Sequence, residues 1–180
     1  GWDLPTALND DLKACQRNNA KMPQVAHFND YFRDVVKGKT SDFDVQAKGY
    51  ATGNLFQAHD MPSALCANTL NKEMYKIYQQ PTQSINYVEC HDNATSWDKM
   101  KDCCKDEVRE IRVKRQKLMI AVTLVAQGVP FLQSGQEFCR TKYGYHNTYN
   151  APDNVNQIDW ERKNRHNEVV EFTRDCLRLR

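Results

Sequence analysis

Ser84-Ile85-Asn86-Tyr87-Val88-Glu89-Cys90-His91-Asp92-Asn93 is an apolar, strand-like run that ends abruptly in groups able to hydrogen-bond, carry charge and exchange protons. In parallel α/β proteins ligands and chemistry collect at the C-terminal ends of strands. His91 and Asp92 are therefore the first candidates for a site. What flanks this run decides the fold. Downstream, Val108, Ile111, Leu118, Val122 and Val125 recur at helical intervals, and Glu110 stands four residues before Lys114, which predicts one long helix over 101–127. Its C-terminal third is apolar nearly all round and is expected to lie between layers. Gly128 and Pro130 end it, and residues 129–132 form the next buried strand.

Upstream, residues 25–29 read as a third strand. A helix is expected within 62–79 on the stripe Leu65, Leu70, Met74 and Ile77. A short helix over 10–17 and a last one over 164–179 complete the reading. Strand, helix, strand, helix is the grammar of a parallel sheet with crossovers. The spacing of about 45 residues between the clear strands suits a barrel unit with enlarged loops. Three strands do not close a barrel, and the chain opens on Gly1-Trp2-Asp3-Leu4-Pro5 without an initiator Met. Both observations predict a portion of a larger α/β domain with no internal boundary across 1–180.

Composition narrows the function classes. With 40% hydrophobic and 27% charged residues the chain is ordinary globular protein rather than disorder. A net charge of +2 gives no reason to expect nucleic acid or a membrane surface as partner. The longest apolar run, 118–126, is too short to insert across a bilayer. Seven cysteines with no CxxC pair read as reduced, mostly buried thiols. They favour a reducing, cytoplasmic compartment over an extracellular one.

A metal reading would recruit His91, Asp92, Glu89 and His59-Asp60, but nothing fixes their spacing and no metal ligand is assigned. Beyond the second strand end, Gln136, Glu137, Tyr143, Tyr145, His146, Asn147, Tyr149, Asn150 and Asn156 mix rings with amides and carboxylates. That mixture suits a polyhydroxylated ligand such as a sugar; a surface loop rich in turn-formers reads equally well. Arg33, Arg140 and Lys142 either orient a carboxylate in the site or solvate a loop.

Ile85 to Asn93 followed by Trp97-Asp98-Lys99 resembles the fourth conserved region of type I pullulanases, debranching members of the α-amylase superfamily. Gly128-Val129-Pro130-Phe131-Leu132-Gln133-Ser134-Gly135-Gln136-Glu137-Phe138 with Arg140-Thr141-Lys142 is similar to the eighth strand and following loop of that family. Asn147, Tyr149-Asn150, Pro152-Asp153, Asn156 and Asp159-Trp160 continue the match. Phe28-Asn29-Asp30 with Phe32-Arg33-Asp34 is similar to its sixth-strand segment.

The resemblance implies a partial (β/α)8 TIM barrel, roughly strands six to eight with their helices. It also implies retaining hydrolysis of α-1,6-glucosidic links in pullulan and branched α-glucans. Retention requires a nucleophilic carboxylate and a proton-donating carboxylic acid. The resemblance puts both upstream of Gly1, so the 180 residues by themselves are expected to hydrolyse nothing and to self-associate. Asp92 carries over as the third acidic residue, stabilising the transition state. His91, Trp2, Asn93, Tyr149 and Asn150 carry over as substrate contacts. No cofactor is implied for this chain, and calcium in the full-length parent would be held by residues upstream. An isoamylase or branching-type enzyme, and a non-catalytic carbohydrate-binding module, are the alternatives.

Overall fold

The computed structural model describes residues 6–41, 44–70 and 76–180. Three short parallel strands, β1 (His27–Phe28), β2 (Ser84–Asn86) and β3 (Val129–Pro130), lie side by side in sequence order. Between β1 and β2 run α1 (Asp30–Val36) and α2 (Met61–Leu65). Between β2 and β3 run α3 (Ser96–Cys103) and α4 (Arg109–Val125), and α5 (Asp153–Asn156), α6 (Glu161–Arg165) and α7 (Asn167–Leu179) follow β3. The expected α/β alternation around a parallel sheet is therefore present. No helix among the described residues is long and apolar enough to cross a membrane.

Strand alternation sorts the side chains of the sheet into two faces. Phe28 is in register with Ile85, so Phe28, Ile85 and Tyr87 share one face, while Asn29, Ser84 and Asn86 share the other. On that second face a buried polar relay runs from the end of β1 across β2 to the residues just before β3. The Asn29 amide donates to Asn68 Oδ1 (2.8 Å) and to Ser84 Oγ (2.9 Å). Ser84 Oγ donates to Asn86 Oδ1 (2.8 Å), and the Asn86 amide donates to the Gln127 carbonyl (2.6 Å). The same Asn29 caps α1, its side-chain oxygen accepting from the Phe32 amide at 3.0 Å.

The carbonyls left over at the other end of α1 are met by the segment that returns to it. The amides of Tyr50 and Ala51 donate to Val35 O (2.7 Å) and Val36 O (2.9 Å), and Thr52 Oγ1 donates to Lys37 O (2.9 Å). This docking works because two glycines touch. A Cβ on Gly49 would stand 2.4 Å from the Gly38 amide nitrogen, and Gly38 itself sits at φ +100°.

The helices depart from the expected boundaries in ways that packing explains. The single helix expected over 101–127 is two helices, broken at the charged turn 104–108. Thr95 caps the first (Oγ1 accepts from the Asp98 amide, 3.0 Å), and extended Val108 starts the second. Of the expected apolar stripe only Val122 is buried. Val108 and Val125 are each 62% exposed, and Ile111 and Leu118 face outward too, whereas Val113, Gln116, Met119, Ile120, Thr123 and Leu124 are buried. A helix apolar on several sides cannot reveal its buried face by periodicity. The face is chosen by α7, which packs along α4 through Val169, Val170, Thr173 and Cys176.

The helix expected within 62–79 stops at Leu65, because Ala67 (φ 55°) and Asn68 (φ 52°) take left-handed conformations. Of its predicted stripe, Met74 lies outside the described residues. Residues 10–17 contribute two 3-10 segments, Asp10–Leu12 and Gln16–Lys21, instead of one α-helix. All seven cysteines are free, and five of them are buried.

His166 divides the expected last helix into α6 and α7. It is buried, packs edge-on against Trp97 (ring centroids 5.3 Å apart) and has Nδ1 3.1 Å from Arg109 Nη2. A guanidinium only donates, so Nδ1 accepts and the neutral ring carries its proton on Nε2. Burial first, then the charges of Arg162 and Arg109, lower its pKa from 6.5 to about 4. The unfolded chain therefore takes up this proton before the folded one. The stability contributed by neutral His166 is complete above pH 6.5 and lost as pH falls through about 4. Thermal melts of the wild type are expected to drop over that window, and His166→Gln is expected to flatten the drop.

Candidate active site

Phe28, Tyr87 and Phe131 leave the ends of three successive strands on the same face and meet edge to face. Ring centroids are 5.0 Å apart for Phe28–Tyr87, 5.3 Å for Phe28–Phe131 and 6.5 Å for Tyr87–Phe131. This aromatic layer floors a cavity of about 610 Å³, with Thr6, Leu8, Lys13 and Ala14 on one side and Cys90, His91, Asp92 and Gln133 on the other. Tyr87 is fixed by polar neighbours. Its hydroxyl donates to Asp30 Oδ1 and accepts from Arg33 Nη1 (2.8 Å). Arg33 also donates to Asp30 (2.9 Å) and Asp34 (2.8 Å). Burial opposes its charge, but these carboxylates outweigh burial and hold its pKa above the ordinary value.

His91 and Asp92 reach the cavity because the chain turns sharply after β2. Asn93 adopts a left-handed conformation (φ 57°), a conformation asparagine tolerates. Glu89 closes this turn from within. Wholly buried, it accepts from the amide of Ser96 (2.6 Å) and from its hydroxyl. Burial raises its pKa, and the two Ser96 donors pull it back. Lys37 lies below, fully buried, its pKa lowered by burial to about 8 against the attraction of Glu89. His91 is exposed, with Nε2 3.4 Å from Asp92 Oδ1. The other carboxylate oxygen, Oδ2, is buried and has no hydrogen-bond partner among the described residues. The Asp92 side chain as a whole is partly exposed at the cavity wall, and a carboxylate there is suited to accept from a ligand hydroxyl.

Of the residues expected at the site, His91 and Asp92 are brought together. Asn93 lines a separate, smaller hollow of about 320 Å³ with Arg33, Asp34, Lys39, Thr40, Ser41 and Asp44. Tyr149, 90% exposed, and Asn150 lie on the 139–159 loop and do not line the main cavity. Trp2 lies outside the described residues. His59 and Asp60 end a 3-10 segment away from the cavity lining. Among the described residues no group of three or more His, Cys, Asp or Glu side chains converges as a metal site requires.

Several polar residues read as ligand-facing turn out to brace loops. The Asn156 amide donates to Thr148 O (2.7 Å) and Ala151 O (3.1 Å), and Arg140 Nη2 donates to Asn156 O (2.7 Å). Gln136 is buried with its carbonyl accepting from Gln116 (2.9 Å), and Glu137 accepts from the Gly135 amide (3.0 Å). The aromatic floor went unread. Its signal was one ring at the end of each strand, at Phe28, Tyr87 and Phe131.

No family model matches the chain. It is 44% identical over all 180 residues to the pullulanase of Bacillus subtilis (strain 168), and it spans 25% of that protein's length. Among solved structures, type I pullulanase from Bacillus subtilis str. 168 complexed with maltose superposes with a TM-score of 0.94 at 44% identity, over 99% of this chain and 25% of that one. Pullulanase from Anoxybacillus sp. LM18-11 complexed with maltotriose superposes with a TM-score of 0.92 at 45% identity, over 99% and 24%. The chain thus spans about a quarter of the length of the relatives it matches, and along that quarter it belongs to the pullulanase family.

Proposed function

We propose that the chain supplies strands six to eight, with their helices, to the (β/α)8 barrel of a debranching hydrolase. That enzyme cleaves α-1,6-glucosidic links of pullulan and branched α-glucans with retention. The observation that carries this reading is the pairing of His91 with Asp92 at the wall of a ring-floored cavity, where the Asp92 side chain is partly exposed. Aromatic faces pack on the apolar faces of sugar rings, while carboxylate and imidazole serve the hydroxyls.

In a retaining reaction one carboxylate attacks the anomeric carbon, and a carboxylic acid first protonates the leaving oxygen and later activates water. We assign neither role to this chain; both fall to residues of the parent that precede it. Asp92 accepts from sugar hydroxyls more strongly as the ring flattens and positive charge develops, which lowers the barrier by differential binding. His91 donates to the same sugar. Tyr149 and Asn150, on their exposed loop, meet outer sugar units, and Trp2 and Asn93 border the site.

The test is product analysis with the full-length protein that contains this chain. Release of maltotriose from pullulan is the expected result. Binding of pullulan without new reducing ends would instead identify a non-catalytic carbohydrate-binding module. Debranching of branched glucan with pullulan left intact would identify an isoamylase-type enzyme.

A further inference from the structure

Asp92 sits between two cross-links to another loop, and neither touches its side chain. On one side the Lys142 ammonium donates to the carbonyl of His91 (3.1 Å) and to that of His146. On the other, the Asn93 amide donates to Asn147 Oδ1 (3.1 Å). Both partners come from residues 141–147, after β3, so the residue with the free carboxylate oxygen is spanned by bonds to one neighbouring loop.

That loop is itself tied to α3. Asp98, in the first turn of α3 and with a fully buried side chain, accepts from the Lys142 amide (2.6 Å), from Thr141 Oγ1 (2.5 Å) and from Lys101 Nζ (3.1 Å). Burial by itself would raise the Asp98 pKa, and the Thr141 and Lys142 donors hold it below the ordinary range. Lys142 is 2% exposed. Sinking an ammonium this far costs free energy that a neutral side chain would not. Its hydrogen-bond partners are backbone carbonyls, one of them that of the residue before Asp92, and no carboxylate pairs with it within ion-pair distance among the described residues.

We propose that Lys142 and Asn147 are positioning residues for Asp92, fixing the backbone before and after it so that its carboxylate keeps its place at the cavity wall. The inference rests on the reading of Asp92 as the transition-state-stabilising carboxylate. Another buried lysine shows that a lysine can serve a loop in this way. Lys99 donates to the carbonyls of Lys39 (2.7 Å), Asp44 (2.8 Å) and Val45 (2.9 Å), but that loop does not hold Asp92. Misplacing a reacting group by about 1 Å costs on the order of 10²-fold in rate. Loss of the Lys142 bond is therefore expected to act on kcat more than on KM.

The experiment is a cycle in the full-length protein with pullulan as substrate: wild type, Lys142→Met, Asp92→Asn and the double variant. Lys142→Met is expected to lower kcat about 10²-fold with KM within about twofold, and to add little in the Asp92→Asn background. An equal loss in both backgrounds would mean that Lys142 acts independently of Asp92, and the inference falls. Near-normal turnover of Asp92→Asn alone would remove the underlying reading instead. If Lys142→Met melts too low to assay, Asn147 decides. Asn147→Ala, at an exposed position, is expected to lose about tenfold in kcat, the worth of one hydrogen bond. Asn147→Asp keeps the acceptor and is expected to recover most of that loss. Equal activity of the two Asn147 variants would overturn the proposal.

Discussion

Asp92→Asn in the full-length protein is expected to lower kcat on pullulan by about 10²–10³-fold, about 3–4 kcal/mol of transition-state stabilisation. The substitution is nearly isosteric. Among the described residues it breaks no bond to Oδ2, which has no partner. Folding should accordingly be untouched, and the melting temperature is expected to stay within a degree or two of wild type. The effect is confined to chemistry because an amide cannot match a full negative charge where positive charge develops at the anomeric carbon. Binding of a linear α-glucan fragment, measured by calorimetry, should weaken far less than kcat falls. Turnover near the wild-type value would remove Asp92 from the mechanism.

Gly49→Ala is the second large effect, and it is one of stability. The new methyl would stand 2.4 Å from Gly38 N, 2.7 Å from the Lys37 carbonyl carbon and 2.7 Å from Val35 O. All three are backbone atoms, so no side chain can swing away to relieve the contact. Relief requires lifting residues 49–52 off the end of α1, which breaks the bonds from Tyr50 and Ala51 to Val35 and Val36. Overpacking of this kind costs about 3 kcal/mol, the upper end of the usual range. Denaturant titration should show the loss as a lower midpoint at unchanged slope. By contrast Gly144→Ala meets no atom within 4 Å, and its cost is expected to be limited to its left-handed backbone (φ +91°). Similar midpoints for the two variants would show that the Gly38–Gly49 contact does not govern the docking.

What the sequence disclosed and what it hid follow from how far each property is local. The three strands were legible because Pro, Gly and short apolar runs punctuate the chain. His91 and Asp92 were legible because polar groups follow directly on the β2 run. The buried face of α4 was not, since Ile111, Leu118 and Val125 keep helical spacing as faithfully as the residues that pack on α7. Nor was the role of Lys142 or Asn156. Their side chains bond to backbone carbonyls, and a carbonyl has no sequence signature. The aromatic floor required the strand register, which puts residues some 50 positions apart in contact.

The relay from Asn68 through Asn29, Ser84 and Asn86 to Gln127 constrains how this sequence can drift. Each strand pair shares only two register positions, so backbone bonding alone specifies alignment weakly. Each relay member gives or receives through its neighbour. Replacing one by an apolar residue leaves the next as a buried, unmatched dipole at about 1–3 kcal/mol, whereas replacing bonded partners together can be nearly neutral. Divergence at positions 29, 68, 84 and 86 should therefore proceed by concerted exchanges. The signature to seek among relatives is coupled substitution at these positions, even where each residue taken singly varies.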